Sequence, residues 1–321
     1  MSRTDRLLKH INRAGKGIEV APFFNPAVPK RDGYDVLIFD VFDTQTLHGI
    51  AKDDPFIPDE RIGEIEDVDF VGDASRIGEV LAENDLLGRI SYIVSSHNFE
   101  HIPNPIRFLQ GCYDALEVGG VLSMAVPDFR ACYDHYRIPT RLSDWLSAYH
   151  EDRTQPTAET FFDAKVNLAM YSRFGTTQHG CFMFPFDDPA NFKPVRNLKS
   201  LYEDYVAHKA EPGDYRDAHV SVIFPELIEL MLSDLHHLSL VKFEIIEITQ
   251  TLGLEFYIHL RKPAEIRAET DDMFYQKREI LLSRVAKNLT YPTPISFLRR
   301  PVHYLSGKST VLGHWLWKKI R

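Results

Sequence analysis

Three cysteines in 321 residues, Cys112, Cys132 and Cys181, are too few, odd in number and too widely spaced for a disulfide framework or a thiolate zinc site. No apolar run approaches the roughly 20 residues of a membrane span. An excess of positive charge is missing as well. With 37 Lys and Arg against 46 Asp and Glu, the formal net charge is −9, which argues against general nucleic-acid binding by phosphate neutralisation. The opening MSRTDRLLKHINRAGKG has basic residues but no uninterrupted hydrophobic segment, so no secretory signal is expected and the expected compartment is the cytosol. Internal repeats, low-complexity tracts and the G-x-G-x-x-G dinucleotide fingerprint are also lacking.

What is present is a chain 44% hydrophobic and 26% charged, suited to one large soluble domain with extensions. Its most informative stretch is Ile90 to Pro127, ISYIVSSHNFEHIPNPIRFLQGCYDALEVGGVLSMAVP. An apolar run through Tyr92, Ile93 and Val94 breaks abruptly at Ser95, Ser96 and His97, as a buried strand does at its end. Asn104 is a good N-cap, and Pro105 occupies the first helical position, where its missing N–H costs nothing. Ile106, Leu109, Cys112 and Leu116 then recur at helical spacing. Gly119 and Gly120 end that helix, and Val121 to Val126 is the next strand. Strand, helix and strand in this order make half of a doubly wound parallel sheet, whose ligands bind beyond the carboxyl ends of the strands.

The rest of the chain extends the pattern. Lys16 to Val20, Tyr34 to Phe39 and Val68 to Val71 read as the first three strands, and Arg76 to Leu87 as a helix. Residues 48–66 are acidic and contain proline, so a surface loop with at most a short helix is expected. Residues 128–222 are aromatic and polar, with an amphipathic piece at Ala158 to Phe174; they read as an insertion capping the sheet edge. Pro225 to Leu238 is a helix, and Val241 to Ile248 with Leu254 to Leu260 form a closing hairpin. The expected organisation is an extension over 1–14, a Rossmann-like cofactor half over 15–127, the cap or substrate insertion over 128–222, a last helix and hairpin over 223–262, and a basic helical extension over 263–321. The fold class is α/β: a seven-stranded Rossmann-like sheet of alternating strand–helix units, mostly parallel, closed by the antiparallel hairpin, with a helical and loop cap insertion.

That order resembles the class I S-adenosylmethionine-dependent methyltransferase fold. Ser96, His97, Glu100, His101, Gly119, Gly120, Pro127 and Asp128 match the pattern of type-11-like methyltransferase domains found with surface-polysaccharide genes. Asp134, Arg137 and Thr140 match further along, as do Asp217 and His219. The resemblance spans about residues 15–262 and is specific across 90–145. It departs in the first loop, Glu19-Val20-Ala21-Pro22-Phe23-Phe24, where alanine stands at the expected glycine and the next glycine is Gly33. Alanine fits there if φ is negative and is strained if φ is positive.

The resemblance implies S-adenosyl-L-methionine held by Glu19, Val20, Ala21, Asp40, Asp73, Ala74, Ser95 and Ser96. Asp40 has the paired acceptors for ribose hydroxyls, although an acid there also suits a nicotinamide cofactor. Asp73 would accept from the adenine amine. His97, Asp128 and His219 are the catalytic candidates, since a neutral imidazole can take a hydroxyl proton near neutral pH. Glu100, His101, Arg137 and His179 are the candidates for holding the acceptor; an internally paired Arg137 is the alternative. Three metal-ligand types in five residues, His97, Glu100 and His101, are a weak signal, and sulfonium methyl transfer needs no metal. The implied activity is O-methylation of a sugar or glycan-related acceptor. The alternative is a non-catalytic, methyltransferase-like scaffold partnering a glycosyltransferase or a membrane-associated complex. Residues 299–321 carry six Lys or Arg, no acid and two tryptophans, which suits a peripheral contact with an anionic membrane face or an acidic partner.

Overall fold

The computed structural model describes residues 1–55, 57–173, 176–178, 192–194, 196–211, 213, 216–266 and 269–289. His179, Cys181 and the basic segment 299–321 lie outside them. The central sheet contains β1 (Gly17–Val20), β2 (Val36–Asp40), β3 (Phe70–Val71), β4 (Ile90–Ser96) and β5 (Leu116–Pro127). A small sheet follows, formed by β6 (Ala169–Arg173), β7 (Thr176–Gln178) and β8 (Phe192–Pro194). The hairpin β9 (Glu244–Ile248) and β10 (Glu255–Arg261) completes the large sheet, in the order β3-β2-β1-β4-β5-β10-β9. The first five strands are parallel, and β10 runs antiparallel to both β5 and β9. This is the mostly parallel, Rossmann-like seven-stranded sheet closed by an antiparallel hairpin that the sequence led us to expect.

Side chains alternate across the sheet with the strand period of two. Ile18, Val20, Ile93, Leu122, Met124, Phe256 and Ile258 enter one core; Val36, Ile38, Tyr92, Val94, Ala125 and Tyr257 enter the other. The first core is covered by α4 (Ile77–Glu83), α5 (Pro105–Ala115), α6 (Leu142–His150) and α9 (Pro225–His237), with Trp145 of α6 packed edge-on against Phe99. The second is covered by α1 (Arg3–Leu7), whose Leu7 and Leu8 are buried among the strand residues. The first residues are thus part of the core rather than an appendage. The remaining helices are α2 (Thr44–Asp53), α3 (Asp59–Ile62), α7 (Ala158–Val166), α8 (Leu198–Ala210) and α10 (Asp271–Asn288). Among the described residues, no helix is long and apolar enough to cross a membrane.

Several local expectations change. The β1–β2 crossover contains no α-helix, only a 3-10 turn at Lys30–Asp32, because Pro22, Pro26 and Pro29 interrupt any helical ladder. Residues 44–53 form a full helix, started by Asp43 accepting from the Thr46 N–H. The helix α5 begins as expected, with Asn104 accepting from the Arg107 N–H, but it stops at Ala115. Gly119, at φ 86, lies inside the long β5 instead of capping the helix.

The packing of α4 on α5 depends on two facing glycines. A Cβ at Gly111 would sit 2.6 Å from the Gly78 nitrogen, and one at Gly78 would sit 2.7 Å from Gly111 Cα. Both obstacles are backbone, so neither can rotate away. Gly111→Ala is therefore expected to destabilise the chain by about 1–3 kcal/mol despite alanine's better helix propensity. A denaturation midpoint equal to or above wild type would show that the helices do not pack this closely.

Candidate functional site

The carboxyl ends of β3, β2, β1 and β4 are neighbours, and register aligns them. Val20 pairs with both Phe39 and Ser95, and Asp40 pairs with Val71. Glu19, Asp40, Asp73 with Ala74, and Ser95 with Ser96 consequently share one edge of the sheet. All eight expected cofactor residues lie at this edge, including Val20 and Ala21.

Each acid is differently placed. Glu19 is buried and accepts from the N–H groups of Ala27 (2.7 Å) and Val28 (3.1 Å), so it folds the loop after β1 back onto the strand. Burial pushes its carboxyl up to about 7, against the pull of those two N–H donors. Asp40 is buried, with Oδ1 accepting from the Phe42 N–H at 3.0 Å. Asp73 caps the turn at Ala74–Arg76 through Oδ1, which accepts from the Ser75 N–H at 2.9 Å. Its buried Oδ2 has no hydrogen-bond partner among the described residues, and burial raises its carboxyl above the usual range. An orphaned buried acceptor beyond the third strand suits an amine donor such as that of adenine.

The first loop takes the strained alternative. Ala21 and Phe23 both have φ of 50°, a left-handed conformation that a Cβ disfavours. Burial of Phe23 and Phe24 against Leu47, Ala51, Ile57 and Ile65 holds it, and Arg61 donates to the Phe24 carbonyl at 3.1 Å. Ala21→Gly relieves one left-handed Cβ at the cost of a more flexible unfolded chain. The expected net gain is up to about 1 kcal/mol, read as a raised Tm; a lowered Tm would mean that alanine is not strained there.

The Glu19 shift has a definite sign. A carboxyl raised from 4.5 to about 7 stabilises the fold while protonated, fully below its unfolded value, and the benefit is lost as pH rises through 7. The loss runs at no more than about 1.4 kcal/mol per pH unit. Between pH 5 and 8 the stability of wild type relative to Glu19→Gln should therefore fall. A pH-independent difference would show Glu19 to be an ordinary carboxylate.

Beyond β4 a second constellation forms. His97, at φ 52°, directs Nε2 to Glu255 Oε2 at 2.8 Å, and its Nδ1 stands 3.7 Å from Glu100 Oε1. Glu255 also accepts from Arg3 Nε (2.9 Å), Arg3 Nη2 (2.9 Å) and the Tyr257 hydroxyl (2.6 Å). Burial alone would raise its carboxyl, but the Arg3 charge and the His97 contact outweigh that and hold it well below the usual range. The ionised Glu255 holds His97 Nε2 and so turns Nδ1 toward Glu100. Arg3 Nη2 also donates to Ser96 Oγ at 2.7 Å, so Ser96 faces the amino-terminal helix. Ser95 is buried, and Asn98 donates to its hydroxyl at 3.4 Å.

The structure reassigns two sequence candidates. Asp128, expected as a catalytic group, accepts from Arg130 Nε on one oxygen and from Arg130 Nη2 and the Thr251 hydroxyl on the other. With both oxygens held in a fully buried pair, it anchors the end of β5. Arg137, expected to grip an acceptor, is internally paired: Nη1 donates to Asp134 Oδ1 and the His219 carbonyl, and Nε to Asp163. His219 and His101 come together with Glu100 in the core, their rings edge to face at 4.6 Å. The sequence reading missed Arg3, Tyr133, Glu255 and Tyr257, because their partners are distant in the chain and no local motif marks them.

Comparison with known proteins adds the following. No protein-family model and no curated protein matches this sequence. Among solved structures, the chain is similar to the CurJ carbon methyltransferase at 9% identity, covering 80% of this chain and 51% of that one, with a TM-score of 0.38. It spans about half the length of that protein. It is also similar to a SAM-dependent methyltransferase from Methanosarcina mazei (13% identity, 80% and 96% covered, TM-score 0.38). A third is a Rhodobacter sphaeroides protein described as a Zn-dependent alcohol dehydrogenase (12% identity, 81% and 89% covered, TM-score 0.45). The fold assignment rests on the strand order and register given above.

Proposed function

We propose that the chain is an S-adenosylmethionine-dependent methyltransferase acting on a hydroxyl of a sugar or glycan-related acceptor. The observation carrying this reading is the row of acids at the ends of β1, β2 and β3, with Asp73 Oδ2 an unsatisfied buried acceptor at the adenine position. The residues present fit the cofactor: Asp73 for the adenine amine, Asp40 for the ribose hydroxyls, and Glu19 for the loop that meets the amino-acid end. When bound, S-adenosylmethionine supplies an activated methyl on a sulfonium. The chain supplies position and a base. The chain's part would be to hold the acceptor hydroxyl against that methyl, since positioning of two reactants can supply much of a rate enhancement. The Glu255–His97 pair holds the imidazole at the end of β4, where it would take the proton of an acceptor hydroxyl. The sugar class of the acceptor rests on the resemblance of residues 90–145, and is an analogy of family rather than of geometry.

The altered Ala21-Pro22 turn, with alanine at the expected glycine, favours one rival, a fold that has lost its cofactor and serves as a binding protein. Calorimetric titration with S-adenosylmethionine and S-adenosylhomocysteine, with NADH as control, separates the two. The expected result is micromolar binding of the first two only, weakened at least about tenfold by Asp73→Asn, which keeps the cap but turns a donor toward the adenine amine. His97→Asn should lower the methylation rate and leave cofactor affinity unchanged. Absence of binding at millimolar cofactor, in a chain folded by circular dichroism, would falsify the enzyme reading.

A further inference from the structure

Glu100 is fully buried, and among the described residues neither of its carboxylate oxygens has a hydrogen-bond partner. An uncompensated buried carboxylate is among the costliest groups a fold can contain. Around Oε1 stand three imidazole nitrogens at nearly equal distances: His97 Nδ1 at 3.7 Å, His101 Nε2 at 3.8 Å and His219 Nε2 at 3.9 Å. A proton shared between Glu100 and any one of them would draw that pair to ordinary hydrogen-bond length, which none shows.

The far nitrogen of each ring is held by a different carboxylate. His101 Nδ1 lies 2.9 Å from Asp217 Oδ1, His219 Nδ1 lies 2.5 Å from Asp134 Oδ2, and His97 Nε2 contacts Glu255. A carboxylate on the outer nitrogen fixes the tautomer and turns the inner lone pair toward Glu100. This carboxylate–histidine pairing is how proteins orient imidazoles toward metal ions. The donor atoms of Glu100, His101 and His219 all lie within 4.8 Å of one another. Ligands at about 2.1 Å from a tetrahedral ion stand about 3.4 Å apart, so closure needs shifts of about half an ångström.

We propose that Glu100, His101 and His219 bind a divalent transition-metal ion, zinc foremost, through the Glu100 carboxylate and the two Nε2 atoms. Two imidazoles and a carboxylate suit zinc, and also iron(II), manganese or cobalt. The ion would join two segments, the turn after β4 and the stretch 217–221, with Asp134 orienting His219 from a third. That stretch is already tied to the turn, since the N–H groups of Val220 and Ser221 both donate to the Glu100 carbonyl. The Tyr133 hydroxyl, 2.5 Å from His219 Nε2, is the group that must give way or take the fourth position.

The test reads metal directly and needs no methyl-transfer assay, so its outcome is separable from that of the enzyme reading. The full chain is expressed in medium supplemented with zinc, iron and manganese, desalted and analysed by plasma mass spectrometry. About one equivalent of a transition metal per chain is expected in wild type and in His10→Ala, which disrupts the other His and carboxylate cluster (His10, Glu247, His259), and none in Glu100→Gln. Treatment with a chelator should lower Tm, and zinc should restore it. Should Glu100→Gln fail to fold, cobalt(II) titration of chelator-treated wild type decides, because a buried nitrogen–oxygen site gives visible bands far stronger than aqueous cobalt. Metal-free wild type whose Tm ignores added zinc, iron(II) and manganese would overturn the proposal. So would a folded Glu100→Gln that retains its metal, or cobalt bands no stronger than those of the aqueous ion.

Discussion

A single buried carboxylate, Glu255, joins parts of the chain that no local interaction could bring together. It receives two donors from Arg3 near the amino terminus, one from His97 after β4 and one from Tyr257 two residues on. It sits at the start of β10, opposite Pro127 at the end of β5. Removing any one partner would leave a buried charge under-compensated, which costs more than the lost contact alone. The position of α1, the aim of His97 and the entry of the last strand are thus set together. Leu7 and Leu8 then complete the sheet face that the missing crossover helix leaves open.

That missing helix explains the strain at the ligand edge. In a doubly wound sheet, a helix after the first strand normally follows a glycine turn that lets backbone approach the ligand. Here prolines remove the helix, and the loop instead curls back onto Glu19 through two N–H donors. The curl requires left-handed backbone at Ala21 and Phe23, and burial of two phenylalanines stabilises what the local sequence disfavours. Strain kept by tertiary packing at the carboxyl edge of a sheet is more typical of a ligand site than of a plain connection.

Much of the scaffold was legible in the sequence because its signals are local. Asn104-Pro105 marks a helix start wherever it occurs, and the apolar runs of β4, β5, β9 and β10 are recognisable by length and flanking turns. The closing hairpin could be read from the short separation of its strands, and the strand ends located the acids of the candidate site. The side-chain roles were not legible to the same degree. Asp128 and Arg137 look like chemistry in one dimension, yet they are neutralised by Arg130, Thr251, Asp134 and Asp163. The partners Thr251 and Asp163 lie 123 and 26 residues away, and Asp217 lies 116 residues from His101, so these pairings leave no spacing rule.

Charge bookkeeping links the two histidine-rich groups. Asp134 and Glu255 are both held below the usual carboxylate range: burial alone would raise them, but His219 and Arg137 outweigh it at the first, and Arg3 and His97 at the second. Each acid holds the outer nitrogen of its imidazole, and the inner nitrogen of each ring stands within 3.9 Å of Glu100 Oε1. A core that uses Asp134, Asp217 and Glu255 to orient three imidazoles around a fourth carboxylate, itself without a hydrogen bond among the described residues, is arranged for a positive charge at their centre. Hydrophobic residues of the same volume would stabilise the fold as well or better. The polar cluster fixes where the turn after β4 lies, because His97, Glu100 and His101 belong to that turn and His219 ties it to the stretch 217–221.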